Sequence, residues 1–294
     1  MSVATITEAL ASDRASVSFE FFPPKDDAGE TALWQTITDL DDISPAFVSV
    51  TYGAGGSDRD RTTALTARIA KDTDILPMGH LTCVGQTRAQ LTEVIEQYHL
   101  GGVRNILALR GDPKAGAGER WEIHPGGLNH AIDLIELIKK LHPEISVGVA
   151  AFPAGHPESP GLEFDSQVIA DKVGAGAEFA ITQFFYRLSD YTELVDRVRA
   201  KGADIPIVPG IMPIESLGQV QRMAQLSGTE VPREIVERIS AGGEDREIVR
   251  KIGIDIAAEL SQELLDAGAP GLHFYTLNKS RATREVFAQL RMNR

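Results

Sequence analysis

Residues 76–109 read LPMGHLTCVGQTRAQLTEVIEQYHLGGVRNILAL. An apolar run, Leu76–Thr82, is followed by a stretch of helical periodicity and then by a second apolar run, Val103–Leu109. Strand, helix and strand in that order predict a parallel βαβ unit, because parallel neighbours need a crossover long enough to hold a helix. The alternation extends in both directions. Further strand candidates are Val17–Phe21, Phe47–Thr51, Ile145–Ala151, Glu178–Gln183, Ile205–Val208 and Leu272–Tyr275, rich in Val, Ile and Phe and commonly bounded by turn residues. In the longest helical segment Ile248, Ile252, Ile256, Leu260 and Leu264 recur every fourth residue, which predicts one apolar stripe, with Gly268 as its C-cap. Eight strands alternating with helices predict an α/β fold, a (β/α)8 TIM barrel. The alternative is an open doubly wound sheet. Its usual GxGxxG fingerprint after the first strand is absent, as is GxxxxGK[ST].

The 294 residues suit one such barrel with insertions, and 43% hydrophobic residues supply a large core. No linker divides the chain, so residues 1–294 are expected to form a single catalytic domain, with residues 1–15 an N-terminal extension. The Gly- and Pro-rich stretches 112–127 and 153–161 read as long βα loops, and Glu237–Glu247 as a solvated connection. A net charge of −13 argues against nucleic acid or an anionic membrane as partner. Cys83 is the only cysteine, which excludes an intrachain disulfide and any CxxC motif. No secretory h-region and no long apolar span occur, so a soluble, cytoplasmic protein is expected.

In α/β barrels the chemistry sits where the strands end, and polar residues end most of these strands. In SFEFFPP, alternation sends Phe19 and Phe21 one way, Ser18 and Glu20 the other. Glu20 is either half of a structural ion pair or a general acid or base whose pKa the enclosed site raises. The second strand runs into Thr51-Tyr52-Gly53-Ala54-Gly55-Gly56, a turn that lets a ligand approach the backbone or is simply tight. His80 near the end of the third strand is a satisfied core residue or a functional one, and no HExxH or His/Cys cluster makes it a metal ligand. Arg110 and Asp112 either pair with each other or hold a charged cofactor ring. Asp165 and Lys172 lie two helical turns apart, roughly 10 Å along one face, as two ends of one ligand or as two solvated charges. Gln183 offers an amide to a polar heterocycle, and Phe184 and Phe185 either stack on one or pack the core.

The motifs SFEFFPPK, VSVTYGAGGS, HLTC, ALRGDP, AAFPAGHPES, ITQFFY, PGIMPI and HFYTLNK, in that order from Ser18 to Lys279, resemble the catalytic barrel of the 5,10-methylenetetrahydrofolate reductases. The resemblance spans nearly the whole chain. It implies a ping-pong enzyme in which NADH or NADPH reduces FAD and leaves, after which methylenetetrahydrofolate is reduced to 5-methyltetrahydrofolate, the methyl donor for methionine synthesis. It implies that Glu20 is the general acid that opens the bridged methylene group, and that Asp112 lies near the flavin and stabilises the iminium cation. By the same resemblance Thr51, Tyr52, Ala54, His80, Arg110, Gly111, His156, Asp165 and Lys172 hold FAD, with Phe152 and Asp112 at flavin-side positions. Gln183 and Gln219 meet folate, Gln183 also the nicotinamide cofactor, and Tyr275 and Lys279 line the folate pocket. Lys279 stands where some relatives carry arginine, which loses a bidentate fork. Phe152 stands where a tyrosine is also found. A homo-oligomer is implied by bacterial relatives. Because the sequence ends soon after the barrel, the C-terminal regulatory domain of larger eukaryotic relatives and inhibition by S-adenosylmethionine are not expected. Two rivals remain open: a homologue that has lost tight flavin binding or uses another electron donor, and a non-catalytic folate- or flavin-binding subunit.

Overall fold

The structure is a computed structural model that describes residues 4–52, 59–112 and 121–292. A short helix, α1 (Ile6–Leu10), precedes the first strand, β1 (Ser16–Phe21). The chain then alternates through α2 (Asp27–Leu40), β2 (Phe47–Val50), α3 (Arg59–Asp72), β3 (Leu76–Thr82), α4 (Arg88–Leu100) and β4 (Asn105–Leu109). It continues through α5 (Ala131–Leu141), β5 (Ser146–Ala151), α6 (Leu162–Gly174), β6 (Phe179–Thr182) and α7 (Leu188–Ala200). Two short strands follow, β7 (Ile207–Val208) and β8 (Gly210–Ile211), then α8 (Leu217–Ser227), α9 (Arg233–Ser240), α10 (Arg246–Asp266), β9 (Gly271–Tyr275) and α11 (Arg281–Phe287). Every paired neighbour is parallel, in the order β7-β6-β5-β4-β3-β2-β1-β9-β8.

β7 and β8 are two halves of one stave, which makes the fold an eight-stave (β/α)8 barrel. Pro209 between them has no N–H to give a ladder. The stave therefore pairs with β6 through Ile207 and Val208, and with β9 through Gly210 and Ile211. The Pro209 carbonyl accepts from the His273 N–H at 2.9 Å, while the Gly210 N–H turns to Thr182 Oγ1 at 2.9 Å. The sequence expectation Ile205–Val208 reached only the first half, because proline reads as the end of a strand.

Alternation along the strands divides the apolar residues into two cores. The outward set, including Phe19, Phe21, Val50, Leu81, Ile106 and Val149, packs against helix side chains such as Leu33, Ile69, Ile95 and Ile135. The inward set, Phe47, Met78, Leu107, Phe179, Ile181 and Val208, forms a separate cluster with Ile6 and Leu10 of α1. That helix seals the end of the barrel where the strands begin. Asn105 Oδ1 accepts the Ile6 N–H at 2.7 Å, and the Thr7 hydroxyl donates to Glu178 at 2.8 Å. With the bottom filled, the polar inward residues Ser18, Glu20, Ser49, His80 and His273 lie toward the open mouth.

Three local expectations change. The four-residue repeat in α10 is not one stripe: Ile256 and Leu264 are buried and Ile252 and Leu260 partly buried, but Ile248 is 50% exposed, and Gly253, Ile254, Ala257, Ala258 and Ser261 off the repeat are buried too. Each four-residue step overshoots a helical turn by about 40°, so the repeat winds around the helix instead of following one face. Glu237–Glu247 is not wholly a connection, since its first residues complete α9, whose Ile235 and Ile239 are buried. β4 begins at Asn105 and not Val103, because the Val103 N–H still closes the α4 terminus on the Tyr98 carbonyl at 2.9 Å. Gly268 does sit just past α10 with φ +86°, a left-handed position that suits glycine. No helix among the described residues is long and apolar enough to cross a membrane.

Candidate active site

Glu20 is the hub of the mouth. Register places it beside Ser49 of β2 and Tyr275 of β9. Its Oε2 lies 3.5 Å from His80 Nε2, 3.6 Å from His273 Nε2 and 3.5 Å from Ser49 Oγ. The Glu20 side chain is 13% exposed, so water reaches it only from the mouth. His273 stacks on Phe47 at 5.6 Å, and its Nδ1 is 2.8 Å from Ser18 Oγ. A carboxylate at Nε2 favours a proton on that nitrogen, which leaves Nδ1 to accept from Ser18. Burial pushes the Glu20 carboxyl up, but the polar surroundings supplied by His273, His80 and Ser49 outweigh it. The carboxyl thus sits below its ordinary value. This corrects the expectation that the enclosed site raises it. Burial pushes His80 down to about 4, against the pull of Glu20. His80 Nε2 is sealed from bulk water and makes no well-formed hydrogen bond, while its carbonyl accepts from Tyr98 Oη at 2.9 Å. It is thus not a satisfied core histidine.

A second cluster lies at the ends of β4 and β5. Arg110 does not pair with Asp112. Its guanidinium grips the Glu158 carboxylate with both ends, Nη1 to Oε2 at 2.5 Å and Nη2 to Oε1 at 3.1 Å, and lies 4.8 Å over the Trp121 ring. Asp112 is exposed. Gly111 has φ +83°, and a Cβ there would lie 2.7 Å from Val84 Cγ1 and 3.0 Å from Thr82 Cβ, so only glycine fits. Asp165 is buried in the first turn of α6 and accepts the His156 N–H at 2.9 Å. The His156 ring meets Phe152 edge-on at 4.9 Å. Lys172 makes no hydrogen bond or ion pair among the described residues. Burial holds its ammonium down at about 8, with Asp165 raising it and Arg110 lowering it. Thr51 gives its carbonyl to the Thr62 hydroxyl at 3.1 Å, and Tyr52 Oη donates to Gln86 at 3.2 Å. Ala54 and the glycines around it lie outside the described residues.

The residues expected to meet substrate are already engaged with their neighbours. Tyr275 reaches across the mouth to donate its hydroxyl to the Thr182 carbonyl at 2.6 Å, passing over Gly210, where a Cβ would come within 2.7 Å of its ring. Gln183 accepts the Phe184 N–H at 3.0 Å. Gln219 folds back on its own turn, accepting from the Glu215 N–H at 2.7 Å and donating to the Pro213 carbonyl at 3.2 Å. Lys279 is exposed, with Nζ 3.6 Å from Glu215. Phe184 and Phe185 are both buried, the latter stacked on Tyr191 at 6.1 Å, so they pack the core.

This constellation has relatives. The sequence matches the methylenetetrahydrofolate reductase family over residues 5–291. The chain belongs to that family. It is 38% identical over 274 residues to the 5,10-methylenetetrahydrofolate reductase of Pectobacterium carotovorum subsp. carotovorum, covering 93% of this chain and 89% of that protein. It is 36% identical over 271 residues to that of Escherichia coli (strain K12), covering 92% and 89%. A solved structure of an uncharacterised Clostridium thermocellum protein that binds two copies of 5-methyl-5,6,7,8-tetrahydrofolic acid shares the fold, with TM-score 0.61, 15% identity and 94% of each chain covered.

Membership of the methylenetetrahydrofolate reductase family supports an oxidoreductase acting on methylenetetrahydrofolate. Within this reductase barrel, sequence reasoning left three participants unassigned. His273 and Ser49 flank Glu20, and Glu158 fills the Arg110 fork. His273 and Ser49 share the inward phase of Ser18 and Glu20, a signal present in the alternation of the strands. Glu158 sits in a loop and carries no periodic signal.

Proposed function

We propose that the protein reduces 5,10-methylenetetrahydrofolate to 5-methyltetrahydrofolate, using FAD and NADH or NADPH in two alternating half-reactions, and so supplies methyl groups for methionine synthesis in the cytoplasm. The observation that carries the reading is Glu20 at the centre of this family's barrel mouth, one oxygen facing two histidines and a serine.

The residues present fit the flavin. Lys172 is a half-buried ammonium with no ion-pair partner among the described residues, and burial beside Arg110 lowers its pKa to about 8, which is relieved by an anionic ligand. His80 Nε2 is a sealed polar atom awaiting a partner. Gly111 lets the backbone stay where no side chain fits. Thr51, Tyr52, Ala54, His80, Arg110, Gly111, Asp112, Phe152, His156, Asp165 and Lys172 are assigned to holding FAD. When bound, FAD supplies a hydride carrier between the nicotinamide and the one-carbon unit.

The chain's own residues supply the rest. Glu20 gives the proton that lets a folate nitrogen leave the methylene bridge, because an unprotonated amine is a poor leaving group. The carboxyl sits low as the structure stands. A planar substrate laid over the mouth removes its water and pushes it upward, toward the range where it holds a proton. Ser18 fixes His273, and His273 with Ser49 fixes Glu20, so the proton is delivered from a set position. Asp112, exposed at the rim, is assigned to stabilising the cation left after ring opening. Gln183, Gln219, Tyr275 and Lys279 orient folate, and a homo-oligomer is the expected assembly.

The purified protein is expected to be yellow, to release FAD on heat denaturation, and to lose its flavin absorbance when NADH or NADPH is added without oxygen. Adding methylenetetrahydrofolate should restore the absorbance. A colourless protein that is active without added flavin would remove FAD from the reading, and a protein that reduces no folate would remove the reaction.

A further inference from the structure

Barrel helices run antiparallel to their strands, so the C-terminal ends of α4 and α5 lie at the face opposite the mouth. His99 occupies the last turn of α4, and His142 is the C-cap of α5. Their rings stack face to face, 3.8 Å between centroids and 16° apart. His99 Nδ1 lies 3.1 Å and His142 Nδ1 3.4 Å from the same oxygen, Glu144 Oε1. Ligand atoms held about 2.0–2.1 Å from a tetrahedral ion are about 3.3 Å apart, which the two spacings to Glu144 Oε1 match. Because imidazole binds a metal in its own ring plane, the two rings must swing out of their stack for both lone pairs to meet one ion. One donor atom from each of the three residues falls within 4.8 Å of the others.

His99 Nδ1 and His142 Nε2 are sealed from solvent, and neither has a hydrogen bond of acceptable geometry. Buried polar atoms left this way ask for a further partner. His142 Nε2 also lies 3.2 Å from Glu96 Oε1, one helical turn before His99 on the same face of α4. A carboxylate behind the distal nitrogen of a ligating histidine fixes its tautomer and raises its basicity.

We propose that His99, His142 and Glu144 form a binding site for one divalent transition-metal cation, with Zn2+ the best fit. Two imidazoles and one carboxylate suit zinc better than magnesium or calcium, which prefer all-oxygen shells. Water completes the fourth position, and Glu96 accepts a hydrogen bond from the N–H that ligation through Nδ1 leaves at His142 Nε2. The ion ties the end of α4 to the loop between α5 and β5. It touches none of the residues assigned to the redox reaction, and so acts as a structural staple.

The test is a titration of metal-stripped protein with zinc chloride, read by calorimetry and by thermal melting. One ion per chain with micromolar or tighter affinity is expected, with a melting temperature several degrees higher at a ~100-fold excess over the dissociation constant. Glu96→Gln keeps all three ligands and should weaken binding ~10-fold. The double substitution His99→Gln, His142→Gln should abolish binding while leaving reductase turnover and the metal-free melting temperature unchanged. Glu144→Gln, the mildest ligand change, gives an independent reading should the double variant fold poorly. No heat and no melting shift up to millimolar zinc would overturn the proposal. So would unchanged stoichiometry and affinity in Glu144→Gln and in the double variant, since the ion would then sit on other histidines.

Discussion

In the proposed reaction Glu20 has one task that no neighbour duplicates. His80 is held neutral by burial, and His273 is committed to Ser18 and Phe47 on its other sides. Replacing Glu20 with glutamine keeps the shape and removes the transferable proton. Flavin reduction by NADH is then expected to be near normal and folate binding retained, with the folate half-reaction slowed at least ~10²-fold. Stopped-flow measurement of each half-reaction decides it. Equal slowing of both would make Glu20 a structural partner, and no slowing would assign the proton to another group. Asp112 allows a separate test, because Arg110 is already bound to Glu158 and the exposed Asp112 pairs with no other described residue. Asp112→Asn should slow folate reduction ~10²-fold and raise the flavin potential, since a reduced anionic flavin loses a repulsive neighbour. An unaltered potential together with unaltered folate reduction would take Asp112 out of the chemistry.

At the scale of elements, α1 contributes more than its length suggests. Five residues close one end of the barrel by burying Ile6, fully, and Leu10 among Phe47, Met78 and Phe179. The inward cluster would otherwise face water where the strands begin. Truncating Ile6 to alanine removes buried methyl and methylene groups and leaves a cavity, for which a loss of about 2–5 kcal/mol is expected. Denaturant melts should show that loss as a lower midpoint, with turnover per folded molecule unchanged because the chemistry is at the other end. A normal midpoint would mean that α1 is dispensable to the core. The split stave β7/β8 also has a consequence at this scale. Pro209 frees Gly210 to bond Thr182 Oγ1, and the glycine leaves room for Tyr275 to cross to the Thr182 carbonyl. The break in one ladder is what lets the mouth be bridged from β9 to β6.

For the whole molecule, the buried mouth couples stability to pH. His80 titrates at about 4 in the folded chain against an ordinary 6.5. Between those values the unfolded chain takes up a proton that the folded chain refuses, so stability falls as pH drops from 6.5 through 4, by about 3 kcal/mol in all. Glu20, held below its ordinary value, acts in the same direction: its stabilisation is present above the unfolded value and is lost as pH falls through the folded one. Thermal melts between pH 7.5 and 4.5 should show this slope, and His80→Gln should flatten it. An equal slope in the variant would place the titration elsewhere. By itself, the sequence determined the order of strands and helices, the inward phase of Ser18 and Glu20, and, through eight ordered motifs, the family. Those features are written in periodicities and turns a few residues long. Only the tertiary structure decided that Arg110 meets Glu158, 48 positions away, that Ser18 fixes His273, 255 positions away, and that the Glu20 carboxyl is lowered and not raised. The reason is geometric: such contacts exist only once eight staves close with a fixed stagger, and no local pattern carries that closure.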